Sequence, residues 1–91
     1  MSHAGLVFSD DYASLRTANG WDFYYGYEVV VGVGDSAQWC FRARNKDWQR
    51  VIPRSALGVK ERDSHDMLAC LLAGIQKLVE AECINIHDEE A

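Results

Sequence analysis

From Trp21 to Arg44 the side chains alternate with a period of two, and a β-ribbon is the structure that accommodates this pattern. Trp21, Phe23, Tyr25, Tyr27, Val29, Val31 and Val33 share one parity, and Asp22, Tyr24, Gly26, Glu28, Val30 and Gly32 share the other. The run of 13 residues from 21 to 33 is longer than the usual strand of roughly 3 to 10 residues. A bend or bulge is therefore expected near Gly26, where a missing side chain relieves crowding. The next run repeats the pattern, with Ala37, Trp39, Phe41 and Ala43 set against Gln38, Cys40, Arg42 and Arg44.

Antiparallel partners point to the same side of a sheet, so the two apolar parities must meet. Matching them predicts the pairs Val33 with Ala37, Val31 with Trp39, Val29 with Phe41 and Tyr27 with Ala43, closed by the loop Gly34-Asp35-Ser36. A second hairpin turns at Asn45-Lys46 or at Asn45-Lys46-Asp47. The shorter turn pairs Ala43 with Trp48, Phe41 with Arg50 and Trp39 with Ile52, which places Arg50 on the apolar side. The longer turn buries Val51 and exposes Trp48, Arg50 and Ile52. The shorter is preferred, because it hides more apolar area and a long arginine near a sheet end carries its head to water. Pro53, lacking an amide hydrogen, ends the ladder.

Downstream the period changes. Leu68, Leu71, Leu72, Ile75, Leu78 and Val79 recur at three- and four-residue spacing, which predicts an amphipathic helix over 64–82 with Asp63 or Ser64 as its cap. Asp66, Gln76, Lys77 and Glu80 fall on its water side. Gly74 costs such a helix about 1 kcal/mol relative to alanine, and close approach to the sheet would account for it. Ile84 and Ile86 suggest a short strand before an acidic tail over about 85–91. Upstream, Leu6 to Phe8 reads as a short edge strand. Ser9-Asp10-Asp11 then starts a short helix ending at Asn19-Gly20, unless that Asn-Gly is a hairpin turn.

These elements predict one α+β domain over residues 1–91: an antiparallel sheet of three to four strands, a long C-terminal helix packed on one face, and a short N-terminal element. No apolar run approaches the roughly 20 residues that span a bilayer. The start MSHAGLVFSDD lacks the basic residues and long apolar stretch of a signal peptide, which places the chain in the cytoplasm. Cys40, Cys70 and Cys83 are odd in number and unpaired in spacing, as expected of reduced, buried thiols. Cys83 and His87 lie four apart, but neither His3 nor His65 supplies the further pair that a zinc site requires, so no metal is expected.

Catalytic signatures are lacking. Gly32-Val33-Gly34 followed by Ala37 sits at a hairpin tip, whereas a dinucleotide fingerprint needs a strand-to-helix turn. His65 and Asp66 are adjacent on a helix and diverge by about 100°, so they do not form an oriented general-base pair. Asp10-Asp11 and the acids from Asp88 to Glu90 read as a helix start and a solvated tail. A non-enzymatic protein without a cofactor is the expectation.

Charge, by contrast, is segregated. The chain carries a net charge of -5, yet residues 42–62 hold Arg42, Arg44, Lys46, Arg50, Arg54, Lys60 and Arg62 against Asp47 and Glu61, a net of +5. Residues 1–41 carry -4 and residues 63–91 carry -6. Arginines on the water side of a sheet can simply balance an acidic helix and guard an edge. Arginine, tryptophan and tyrosine are also the residues enriched at interface hot spots, and the chain holds three tryptophans and four tyrosines. The residues proposed to meet a protein partner are therefore Tyr24, Arg42, Arg44, Lys46, Trp48, Arg50 and Arg54.

In size, acidity and lack of catalytic chemistry the chain resembles the small inhibitors and accessory proteins of phages and mobile elements, anti-CRISPR proteins among them. The alternative is a nucleic-acid-binding module in which the ribbon from Arg42 to Arg54 meets phosphates and Trp48 stacks on a base. Against it stands a pI near 5.0, since the acidic field opposes a polyanion. Self-association through an open sheet edge is a third option.

Overall fold

The computed structural model describes residues 5–29 and 37–82. Its architecture is α+β: a five-stranded antiparallel sheet and one helix near the C-terminus. The strands are β1 (Val7–Phe8), β2 (Tyr12–Arg16), β3 (Asp22–Val29), β4 (Ala37–Asn45) and β5 (Trp48–Pro53), arranged in sequence order across the sheet. Two short 3-10 turns, Arg54–Ala56 and Glu61–Asp63, lead to the helix α1 (Met67–Glu82).

The fifth strand comes from the N-terminal segment. Val7–Phe8 is the edge strand expected there, but the helix expected from Ser9 onward is absent. Tyr12 to Arg16 instead pairs with β3, with Ala13 opposite Tyr25 and Leu15 opposite Phe23. The alternation of Ala13 and Leu15 against Tyr12, Ser14 and Arg16 fits this strand. The Asn19-Gly20 pair belongs to the turn joining β2 to β3, closed by the Gly20 amide on the Thr17 carbonyl at 3.2 Å.

Both central hairpins keep the expected faces and slide in register. Between β3 and β4 the observed pairs are Phe23 with Ala43, Tyr25 with Phe41, Tyr27 with Trp39 and Val29 with Ala37, four residues along β3 from the expected set. An even slide leaves every side chain on its own face. The observed register brings Phe23 and Phe41 to 6.0 Å and Tyr25 and Trp39 to 5.8 Å between ring centroids, both stacked. On the other face it sets Asp22 opposite Arg44. The Gly34–Ser36 loop, the expected Ile84 to Ile86 strand, Cys83 and the acidic tail lie outside the described residues.

The β4–β5 turn is the two-residue loop Lys46-Asp47, in place of either expected form, with Asn45 opposite Trp48 and Lys46 at a left-handed φ of 57°. Trp48, Arg50 and Ile52 lie on the core side, as the shorter turn required, but their partners are Asn45, Ala43 and Phe41. This arrangement gives the stem of Arg50 the space beside the small Ala43. It also sets Trp48 edge-on to Trp21 at 5.4 Å, and Pro53 ends the ladder opposite Cys40.

No bulge interrupts β3. Gly26 is in register with both Tyr12 and Cys40; a Cβ there would collide with the ring and hydroxyl of Tyr24. The glycine makes room for a neighbour rather than for a bend.

The helix begins at Met67, three residues later than expected. Asp66 caps it, its carboxylate accepting the Ala69 amide at 3.1 Å, while Asp63 and Ser64 belong to the preceding turn. Its buried stripe is Met67, Cys70, Leu71, Gly74, Ile75 and Leu78; Leu72 is turned out at 51% exposure. Gly74 meets the sheet so closely that a Cβ would enter the Phe41 ring. The helix covers β2, β3 and β4, and Ala13, Phe23, Tyr25, Phe41 and Ala43 form the core beneath it. Among the described residues no helix is long and apolar enough to cross a membrane.

Candidate interaction surface

Since α1 lies against one face of the sheet, the opposite face is formed by Tyr12, Asp22, Tyr24, Glu28, Arg42 and Arg44 from β2, β3 and β4. Its centre is an ordered row. Tyr12 stacks on Tyr24 with centroids 5.9 Å apart and planes 16° from parallel. The Arg42 guanidinium lies 4.9 Å from the centroid of the Tyr24 ring, and its Nη1 donates to both Glu28 carboxylate oxygens at 2.9 and 3.0 Å. The ring of Tyr24 and the Arg42–Glu28 pair pass over Gly26 and Cys40, both small. Burial, with Glu28 beside it, pushes the Tyr24 phenol up against a smaller opposing effect of Arg42. Burial likewise raises the Cys40 thiol, which is free and buried in the floor of this face.

Towards the β2–β3 turn the row continues with charge. Arg44 donates to Asp22 at 3.3 Å, and Arg16 approaches the same carboxylate at 3.9 Å. These contacts are exposed and contribute at most about 1 kcal/mol each.

The residues singled out in the sequence do not form one patch. Tyr24, Arg42 and Arg44 share the face that, among the described residues, no element covers. Lys46 caps the β4–β5 turn. Trp48 and Arg50 lie on the helix side, where Arg50 reaches Glu82 of α1 at 2.7 Å and rests 5.6 Å from the Trp48 ring centroid. Arg54 turns inward, donating to the Ser64 carbonyl at 3.2 Å. It stands near the hydroxyl of Tyr25 and the thiol of Cys70, but no hydrogen bond of good geometry reaches that buried hydroxyl. Burial raises both the Tyr25 phenol and the Cys70 thiol.

Tyr12, Asp22 and Glu28 belong to the surface and not to the set predicted from sequence: the expected helix hides Tyr12, and the carboxylates take their places through the observed β3–β4 register. At the other end of the sheet, Tyr27 and Val29 are 57% and 58% exposed although they share the parity of the core. The ribbon outruns the helix there. Asp11, Tyr12, Tyr24, Tyr27 and Trp39 line an open concavity of about 580 Å³ at this end. Among the described residues no group of three or more His, Cys, Asp or Glu side chains is placed to hold a metal ion. Comparison with protein-family models, curated proteins and solved structures finds no match to this chain.

Proposed function

We propose that the chain is a small non-enzymatic protein-binding domain, of the kind that phages and mobile elements use as inhibitors and accessory factors, and that it acts in the cytoplasm. The observation that carries this reading is the row Tyr12, Tyr24 and Arg42 on the face of the sheet opposite α1. Tyrosine and arginine are interface residues by type. Here they are already ordered by ring stacking, cation-π contact and ion pairing, so less side-chain freedom is lost when a partner docks.

The same pairing weighs against the nucleic-acid alternative, because Arg42, Arg44 and Arg50 each engage a carboxylate of the chain itself. A phosphate backbone would have to displace those carboxylates. Among the described residues Lys46, Lys60 and Arg62 make no ion pair.

Affinity capture from the native host, followed by reconstitution with the identified partner, tests the reading. A stoichiometric complex weakened tenfold or more by Tyr24→Ala and Arg42→Ala is the expected result. A complex indifferent to both changes would remove the row from the interface. Binding to labelled DNA or RNA that falls steeply with salt, and weakens on Lys46→Ala and Arg62→Ala, would replace the protein-partner reading by the nucleic-acid one.

A further inference from the structure

We propose that the concavity at the projecting end of β3 is a site for an extended, arginine-bearing segment of a partner protein. This inference rests on the protein-binding reading above and names the chemistry that one part of the surface would recognise. Two independent features point to it.

The first is an open ladder. β2 begins at Tyr12, opposite Gly26, so β3 runs on through Tyr27, Glu28 and Val29 with β4 on one side. Among the described residues no strand pairs with these three on the other side. The backbone groups that this stretch turns away from β4 are the template that an added strand uses.

The second is the lining. Three tyrosines and a tryptophan surround the space, and its charged member is the carboxylate of Asp11. Tyr27 and Trp39 stand 5.3 Å apart between centroids and tilted by 54°, which forms an aromatic corner. Tyr12 and Tyr24 bring a second, stacked pair of rings. Aromatic faces attract a cation, and a desolvated guanidinium stacks on them as well. Among the described residues no cationic side chain lines the space, and Asp11 takes part in no ion pair. The electrostatic complement is therefore a positive group. An incoming strand paired with Tyr27–Val29 would carry alternate side chains over these rings, and an arginine among them would reach Asp11.

The test is an NMR titration of the full chain with the capped pentapeptide Val-Thr-Arg-Thr-Val and with the same peptide carrying citrulline, which keeps the shape of arginine and removes its charge. The arginine peptide is expected to shift the amides of Tyr27 to Val29 and the ring signals of Tyr27 and Trp39 saturably. The citrulline peptide, and the Tyr27→Ala and Asp11→Asn variants, should each bind about fivefold more weakly, the change that one cation-π or charge contact at an exposed site supplies. Tyr27 and Asp11 are exposed, so the amide spectrum of each variant should remain that of the folded chain.

Equal binding of the two peptides, shifts elsewhere on the molecule, or no shift with the peptide in large excess overturns the proposal. If the concavity fails while Tyr24→Ala and Arg42→Ala still disrupt a partner complex, the site alone is lost. If affinity capture from the native host yields no stoichiometric complex at all, the protein-binding reading falls with it.

Discussion

At position 74 a single methyl group decides whether α1 can lie on the sheet. The Cβ of an alanine there would enter the Phe41 ring, which is itself fully buried. Gly74→Ala should therefore lower stability by about 2 kcal/mol despite the better helix propensity of alanine, read as a lower urea midpoint at unchanged slope. Gly26→Ala meets only the outer end of the Tyr24 side chain, which can swing away. It should cost less than about 1 kcal/mol while moving the Tyr24 ring signals and breaking its contact with Arg42. Tyr25 presents the opposite case. Its hydroxyl is buried without a hydrogen bond, so Tyr25→Phe should leave the melting temperature unchanged or raise it. The helix glycine was legible as a close approach, because no other role suits a glycine in mid-stripe. The hydroxyl of Tyr25 was not, since alternation reports which way a side chain points and not what its tip meets.

Alternation resolved faces and left positions along the strands open. Inverting β3 would expose Phe23 and Tyr25, and inverting β4 would expose Phe41, in either case a loss of about 2 kcal/mol or more. Sliding β3 against β4 by an even number of residues exposes nothing, so the expected and observed registers share every face. The choice between them is made by ring stacking across the core and by Asp22 facing Arg44, cross-strand contacts of at most about 1 kcal/mol each. The helix boundary was missed for a related reason. Asp63, Ser64 and Asp66 are all capping residues by type, and only the 3-10 turn at Glu61–Asp63 shows which of them is used. Asp66→Ala should cost about 1 kcal/mol in urea denaturation, while Asp63→Ala should cost less than half of that.

Among the described residues, part of the charge separation of the sequence is cancelled in space. Arg42, Arg44 and Arg50 from the positive middle of the chain meet Glu28, Asp22 and Glu82 from its negative ends. The basic ribbon was thus legible as charge and misleading as a surface, because the partners lie 14 or more residues away in sequence. A different electrostatic effect governs the alkaline limit. Burial raises the Cys40 and Cys70 thiols above the ordinary value of 9.0 and the Tyr25 phenol above 10.0. As pH climbs past 9 the unfolded chain releases these protons first and binds fewer than the fold does, so stability falls with rising pH. Urea midpoints measured from pH 7 to pH 10.5 should decline above about pH 9, with a shallower decline in Cys70→Ala. Finally, among the described residues each strand pairs only with its neighbours in sequence, so every hairpin can close as soon as its own residues are present. The groove for α1 requires β2, β3 and β4 together. On a ribosome, where the amino end emerges first, the chain delivers its parts in the order in which they can be assembled, and the helix arrives when the surface that holds it is already complete.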